Sequence, residues 1–111
     1  MTVLLLSHPD CGGTTTSMPS LKEMRHKFVS SENINFISIS HDSSEVLKYH
    51  SKFDFQFESI IDNEIWEKIR GHCYPNIFII DGNGLIRHRK SGASADEGEL
   101  LGQSIGKLLN Q

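Results

Sequence analysis

Cysteine is scarce in this chain of 111 residues, with only Cys11 and Cys73. Two cysteines so far apart build neither a disulfide framework nor a zinc site, which leaves them redox chemistry or no chemistry at all. Metal-ligand spacing is missing among the six histidines too: those at 8, 26, 41, 50, 72 and 88 include no H-x-x-x-H pair. No metal and no cofactor is expected. Long apolar runs are absent: Val3-Leu4-Leu5-Leu6 has no basic stretch before it and gives way to His8, Pro9 and Asp10, so it is neither a signal peptide nor a membrane span. Neither sign of charge dominates, with 11 Lys and Arg against 14 Asp and Glu and a net charge of -3. Nucleic acid is therefore not an expected partner. Arg87-His88-Arg89-Lys90 is too short a run to change this and reads as a charged edge strand that discourages sheet aggregation.

What is present is the composition of an ordinary globular domain, 37% hydrophobic and 23% charged. The length suits one domain with a single modest core. Glycine and proline fall between periodic segments and mark no linker or repeat. The run from Thr2 to Leu6 is apolar on both faces, as a central strand covered on both sides should be. From Thr14 to Ser30 a helix is expected, with Met18, Leu21, Met24 and Phe28 on one stripe. A second strand spans about Ile34 to Ser40, joined by a right-handed crossover. Asp42-Ser43-Ser44-Glu45 then caps a helix turning Val46, Tyr49 or His50, and Phe53 inward. Phe53, Phe55 and Phe57 alternate with polar residues, which suggests a short extended piece packing three aromatics. A short helix from Asn63 to Arg70 directs Ile65, Trp66 and Ile69 to the core. Asn76 to Asp81 and Leu85 to Arg89 read as strands joined through Asp81-Gly82-Asn83-Gly84, a turn rich in residues that accept positive φ. A last helix, from about Ala95 to Leu109, buries Leu101, Ile105 and Leu108 and carries Asp96, Glu97 and Glu99 in its first turn.

The chemistry concentrates at Asp10-Cys11-Gly12-Gly13-Thr14, where the first strand ends and the first helix begins. Unpaired N–H groups and the positive end of the dipole at a helix start stabilise a thiolate, the reactive form of cysteine. Gly12 and Gly13 leave the backbone beside the sulfur open to a partner chain, and the neighbouring polar residues argue against burial. Asp10 opposes the effect, since an adjacent carboxylate disfavours the thiolate; a protonated His8 or His72 would favour it.

Val3-Leu4-Leu5-Leu6, Cys11-x-x-Thr14 and Met18-Pro19-Ser20-Leu21 together resemble the strand, C-x-x-C and M-P-x-L of thioredoxin-like proteins, especially the TlpA-type thiol-disulfide oxidoreductases. Phe36-Ile37-Ser38-Ile39-Ser40, Ser59-Ile60-Ile61-Asp62 and Tyr74-Pro75-Asn76-Ile77-Phe78-Ile79-Ile80-Asp81-Gly82-Asn83-Gly84 resemble the later parts of the same pattern. The resemblance implies a thioredoxin-like α/β fold with a four-stranded mixed sheet in order 2-1-3-4. It also implies that Pro75 is cis and that its loop packs against the helix start, so that Gly12, Gly13, Tyr74 and Pro75 form the substrate-binding surface. Two departures stand out: Thr14 takes the place of the resolving cysteine, and Asp10 that of a usual tryptophan. An export signal or extra N-terminal segment usual in TlpA-type proteins is not seen, which fits either a cytoplasmic minimal form or a domain of a longer exported chain.

Three functions remain open on this reading. The first is thiol-disulfide exchange through Cys11 as a single active-site thiol, with Thr14 supplying a hydroxyl that cannot displace a mixed disulfide. A monomer is then expected, with protein or low-molecular-weight thiols and disulfides as partners. Resolution would come from an external thiol or from Cys73, which the resemblance puts in the neighbourhood of Cys11; a direct bond needs the Cα atoms within about 7 Å. The second is a thiol peroxidase, since Cys11-Gly12-x-Thr14 also resembles the C-G-x-T of glutathione peroxidases. Their glutamine-bearing and W-N-F segments have no counterpart, Trp66 being followed by Glu67, and His8 does not match the threonine of peroxiredoxins. The third is a redox-inactive module that holds an extended peptide by backbone hydrogen bonds.

Overall fold

The computed structural model describes residues 1–7, 12–28, 33–53, 57–69, 76–91 and 96–109. Five strands and four helices follow in the order β1 (Thr2–Leu6), α1 (Gly12–Lys27), β2 (Asn35–Ser40), α2 (Ser43–Phe53), β3 (Glu58–Ile61), α3 (Asn63–Ile69), β4 (Asn76–Ile80), β5 (Ile86–Ser91) and α4 (Glu97–Leu109). The sheet order is β3-β2-β1-β4-β5. β1 runs parallel to β2 and antiparallel to β4, which makes it the central strand that its apolar run foretells.

The expected order 2-1-3-4 survives as β2-β1-β4-β5, but the count of four strands is corrected to five. Glu58–Ile61 adds as a parallel outer strand on β2, pairing Ile37 with Glu58 and Ser40 with Ile61. Only four residues long, and with Ile60 and Ile61 both largely exposed, it carries little side-chain periodicity. Its backbone pairing makes it a strand. The extended aromatic piece is corrected as well. Phe53 closes α2, and Phe57 is buried with its ring edge-on to Phe36 at 5.3 Å, while Phe55 lies outside the described residues.

Two clusters fill the sheet's faces. The larger combines Val3, Leu5, Ile77 and Ile79 of the sheet with Met18, Leu21 and Met24 of α1, Tyr49 of α2, and Leu101 and Ile105 of α4. On the opposite face Trp66 of α3 covers Leu6, Ile39 and Phe78. Burying side chains of this size contributes about 1.5–3 kcal/mol each. Of the residues expected inward, Tyr49 is chosen over His50, and Ile65 turns out exposed.

Helix starts are capped as their sequences require. The Asp42 carboxylate accepts from the Glu45 N–H at 3.1 Å and the Ser44 hydroxyl at 2.6 Å, while the Glu45 carboxylate accepts from the His41 N–H at 2.8 Å. Asp62 caps α3 by accepting from the Ile65 N–H at 3.0 Å. The cap of α4 comes from a distant element: Ser20 Oγ on α1 accepts from the Gly98 N–H at 2.8 Å. The two helices meet so closely there that a Cβ on Gly98 would lie 1.8 Å from the Ser20 carbonyl oxygen. Between β4 and β5, Asp81 organises the turn. Its carboxylate accepts from the N–H groups of Asn83 at 2.9 Å and Leu85 at 3.0 Å and pairs with Arg87 at 3.2 Å; Gly84 supplies the positive φ of 81°. No helix among the described residues is long and apolar enough to cross a membrane.

Gly98→Ala should destabilise the fold by about 2 kcal/mol or more, because the new methyl meets backbone that must move. Gly102→Ala meets only side chains, at 3.7 Å, and should be neutral or stabilising through helix propensity. Urea denaturation of the two variants checks the contrast. The Leu85 N–H bond, above all, lowers the Asp81 pKa, with the Asn83 and Arg87 contacts adding to it. A carboxylate depressed in the folded state contributes stability above its unfolded pKa and loses it as the pH falls through the folded value. Asp81→Asn should therefore lower the melting temperature at neutral pH, with the difference from the native chain shrinking below the ordinary carboxylate range.

Candidate active site

Pairing of β1 sets the geometry. Leu6 lies opposite Ile39 on one side and Asn76 on the other, so the carboxyl end of β1 and the amino end of β4 share one end of the sheet. Residues 7 to 11 separate Leu6 from Gly12, so the start of α1 lies within about 20 Å of that end. Gly12 and Gly13 are its first two residues, and Thr14 stands in its first turn. No acidic residue occupies that turn, and Arg25, His26 and Lys27 sit in the last one. Positive charge at the carboxyl end complements the dipole, and its positive amino end at Gly12 meets no carboxylate within the helix.

Thr14 is 1% exposed, and its hydroxyl has no hydrogen-bond partner among the described residues. A buried hydroxyl left without a partner costs about 1–3 kcal/mol. One turn on, Ser17 is fully buried, next to Met18 on the core stripe. Cys11, Cys73, Tyr74 and Pro75 lie outside the described residues, as do His8, Asp10 and His72. Of the seven expected site residues, the described structure brings Gly12, Gly13 and Thr14 together at the helix start.

Other polar groups gather at the same end of the sheet. Ser7, directly after β1, is buried and shares a hydrogen bond with the hydroxyl of Tyr49, joining α2 to the end of the central strand. Asn76 is fully buried at the start of β4, and its side-chain oxygen accepts from the Ser91 hydroxyl at 2.5 Å. Ser40 ends β2, buried, with its hydroxyl unpartnered among the described residues. Sequence reasoning passed over Ser7, Ser17, Ser40 and Asn76 because each looks like a strand or helix border. The available signal was their interruption of otherwise apolar strands and of the α1 stripe.

A thioredoxin-like family model matches residues 1–86. The chain belongs to the thioredoxin-like family. Solved structures of similar fold include a thiol-disulfide isomerase from Corynebacterium glutamicum, with a TM-score of 0.74 and 22% identity over 99% of this chain and 80% of that one. StoA from Bacillus subtilis gives 0.72 and 16%, covering 92% and 79%. A secreted Mycobacterium tuberculosis disulfide oxidoreductase homologous to DsbE gives 0.73 and 20%, covering 95% and 80%. At these identities the likeness is one of fold. No curated protein matches the sequence.

Replacing Thr14 by the near-isosteric valine removes a hydroxyl that has no partner among the described residues and keeps the shape. Thr14→Val should thus be at least as stable as the native chain and up to about 1 kcal/mol more so in urea denaturation. A clear loss would mean that the hydroxyl has a partner in the fold.

Proposed function

We propose that this thioredoxin-like protein exchanges thiols and disulfides through Cys11 alone. The observation that carries the reading is Thr14: the position the family gives to its resolving cysteine is buried in the first turn of α1 and holds a hydroxyl instead of a thiol. Cys11 directly precedes the amino end of that helix, which favours a thiolate, while the adjacent Asp10 carboxylate acts against it. The thiolate attacks one sulfur of a low-molecular-weight or protein disulfide. A bond forms between Sγ of Cys11 and that sulfur, the substrate S–S bond breaks, and the second sulfur departs as a thiolate that takes up a proton. The Thr14 hydroxyl cannot repeat the attack, so the mixed disulfide waits for a second thiol. An external thiol closes the cycle, regenerating Cys11 and releasing a new disulfide. Gly12, Gly13, Tyr74 and Pro75 are the proposed substrate-binding residues, and Cys73 is the internal alternative to the external thiol.

In a Cys73→Ser background, a chromogenic aromatic disulfide should release one equivalent of thiolate per chain at pH 7 and leave half the reagent attached. Cys11→Ser should abolish the reaction. Adding Thr14→Cys should release a second equivalent as the new thiol displaces the adduct. Mass spectrometry and absorbance follow both events. A folded chain whose thiol reacts only after denaturation would overturn the proposal.

A further inference from the structure

The turn between β4 and β5 carries a chemistry of its own, independent of thiol exchange. Asn83 is the one asparagine in the chain followed by glycine; the others precede isoleucine, phenylalanine, glutamate or glutamine. With no side chain on Gly84, nothing shields its backbone nitrogen, which stands in the right place along the chain to close a five-membered ring on the Asn83 side chain. Both residues are exposed, and apart from chain neighbours no atom lies within 4 Å of the point a Cβ on Gly84 would occupy. The φ of 81° at Gly84 is one that residues with side chains rarely adopt.

The same turn withholds that nitrogen from reaction. The Gly84 N–H donates to the Asp81 carbonyl at 3.1 Å, and the Asp81 carboxylate accepts from the N–H groups of Asn83 at 2.9 Å and Leu85 at 3.0 Å. Asp81 thus fixes the backbone on both sides of the Asn83–Gly84 bond, so ring closure waits for a local opening of the turn. Asp81-Gly82 is a comparable pair, but the Asp81 carboxylate is engaged by Asn83, Leu85 and Arg87. Those bonds, that of Leu85 first, favour its ionised form, whose carbon resists attack.

We propose that Asn83 is a modification site, converted without an enzyme to aspartate and isoaspartate at a rate governed by the Asp81 turn. The Gly84 nitrogen gives up its proton and attacks Cγ of Asn83. A C–N bond forms, and the side-chain amide nitrogen leaves as ammonia carrying that proton. Water then opens the cyclic imide, giving aspartate when it adds at the side-chain carbonyl and isoaspartate when it adds at the main-chain carbonyl. No oxidant or reductant takes part. In isoaspartate the main chain runs through the former side chain and is longer by a methylene, which carries the Leu85 N–H out of register with the Asp81 carboxylate. Either product sets a second carboxylate close to the first, where like charges repel. The Asp81–Arg87 contact and the entry to β5 are the parts of the fold that the change disturbs.

The test is peptide mapping by mass spectrometry during incubation at mildly alkaline pH, with aspartate and isoaspartate products separated by chromatography. In the folded chain Asn83 should convert before any other asparagine, and about tenfold more slowly than in the same chain unfolded in urea. Asp81→Ala keeps the Asn-Gly pair but removes the carboxylate, and should bring the folded rate most of the way to the unfolded one. Asn83→Gln, which would have to close a larger ring, should suppress conversion at that position. A folded chain that yields no product at residue 83, another asparagine converting first, or a folded rate equal to the unfolded one would overturn the proposal. So would an Asp81→Ala chain that converts at the native rate. If that variant does not fold, the folded and unfolded rates of the native chain decide alone.

Discussion

Everything in this protein that bears on chemistry depends on the pairing of β1 on both its edges. A strand with parallel β2 on one side and antiparallel β4 on the other brings a strand end and a strand start to one end of the sheet. Leu6 opposite Asn76 is the register that does so. A slip by one residue would turn Val3 and Leu5 away from α1 and Leu6 away from Trp66, so both core clusters hold the register in place. The same constraint delivers the chain leaving β1 to α1 within a few residues, and lets Ser7 meet Tyr49. Packing of ordinary apolar side chains thus determines where the chain leaves β1 and where it enters β4.

Most of this architecture could be read from residue order. β1 and β4 are short apolar runs that only burial on both faces explains, and the stripe Met18, Leu21 and Met24 is buried as its spacing requires. The turn at Asp81-Gly82-Asn83-Gly84 and the cap at Asp42 are local chemistry, decided by side chains that bond to their own neighbourhood. What could not be read was relational. β3 exists because β2 offers it an edge, and neither Ile60 nor Ile61 announces it by burial. Ser20 as the cap of α4, and Gly98 as the point where two helices touch, join residues that nothing in the local pattern relates. At the candidate site, Gly12 and Thr14 stand as a helix start, as expected, but the burial of the Thr14 hydroxyl without a described partner belongs to the packed state alone.

The site region and the core differ in what they ask of their residues. In the core, identity follows from volume and apolarity. At the end of the sheet near α1, Ser7, Thr14, Ser17 and Ser40 place hydroxyls in buried positions, that of Ser7 bonded to Tyr49. Each buried hydroxyl calls for a hydrogen-bond partner, a demand that apolar side chains do not make.

Pro19 adds a last consequence. It lies inside α1, beyond the first turn, and brings no N–H to the helix ladder, so the carbonyl of Thr15 loses its usual acceptor role toward the fourth residue on. The opening turn is thereby joined to the rest of α1 by one hydrogen bond fewer than an unbroken helix provides. Its order rests on the anchoring of Thr14 and Met18 in the interior. Amide exchange in that turn should therefore proceed by a shallower local opening than in the helix from Leu21 onward.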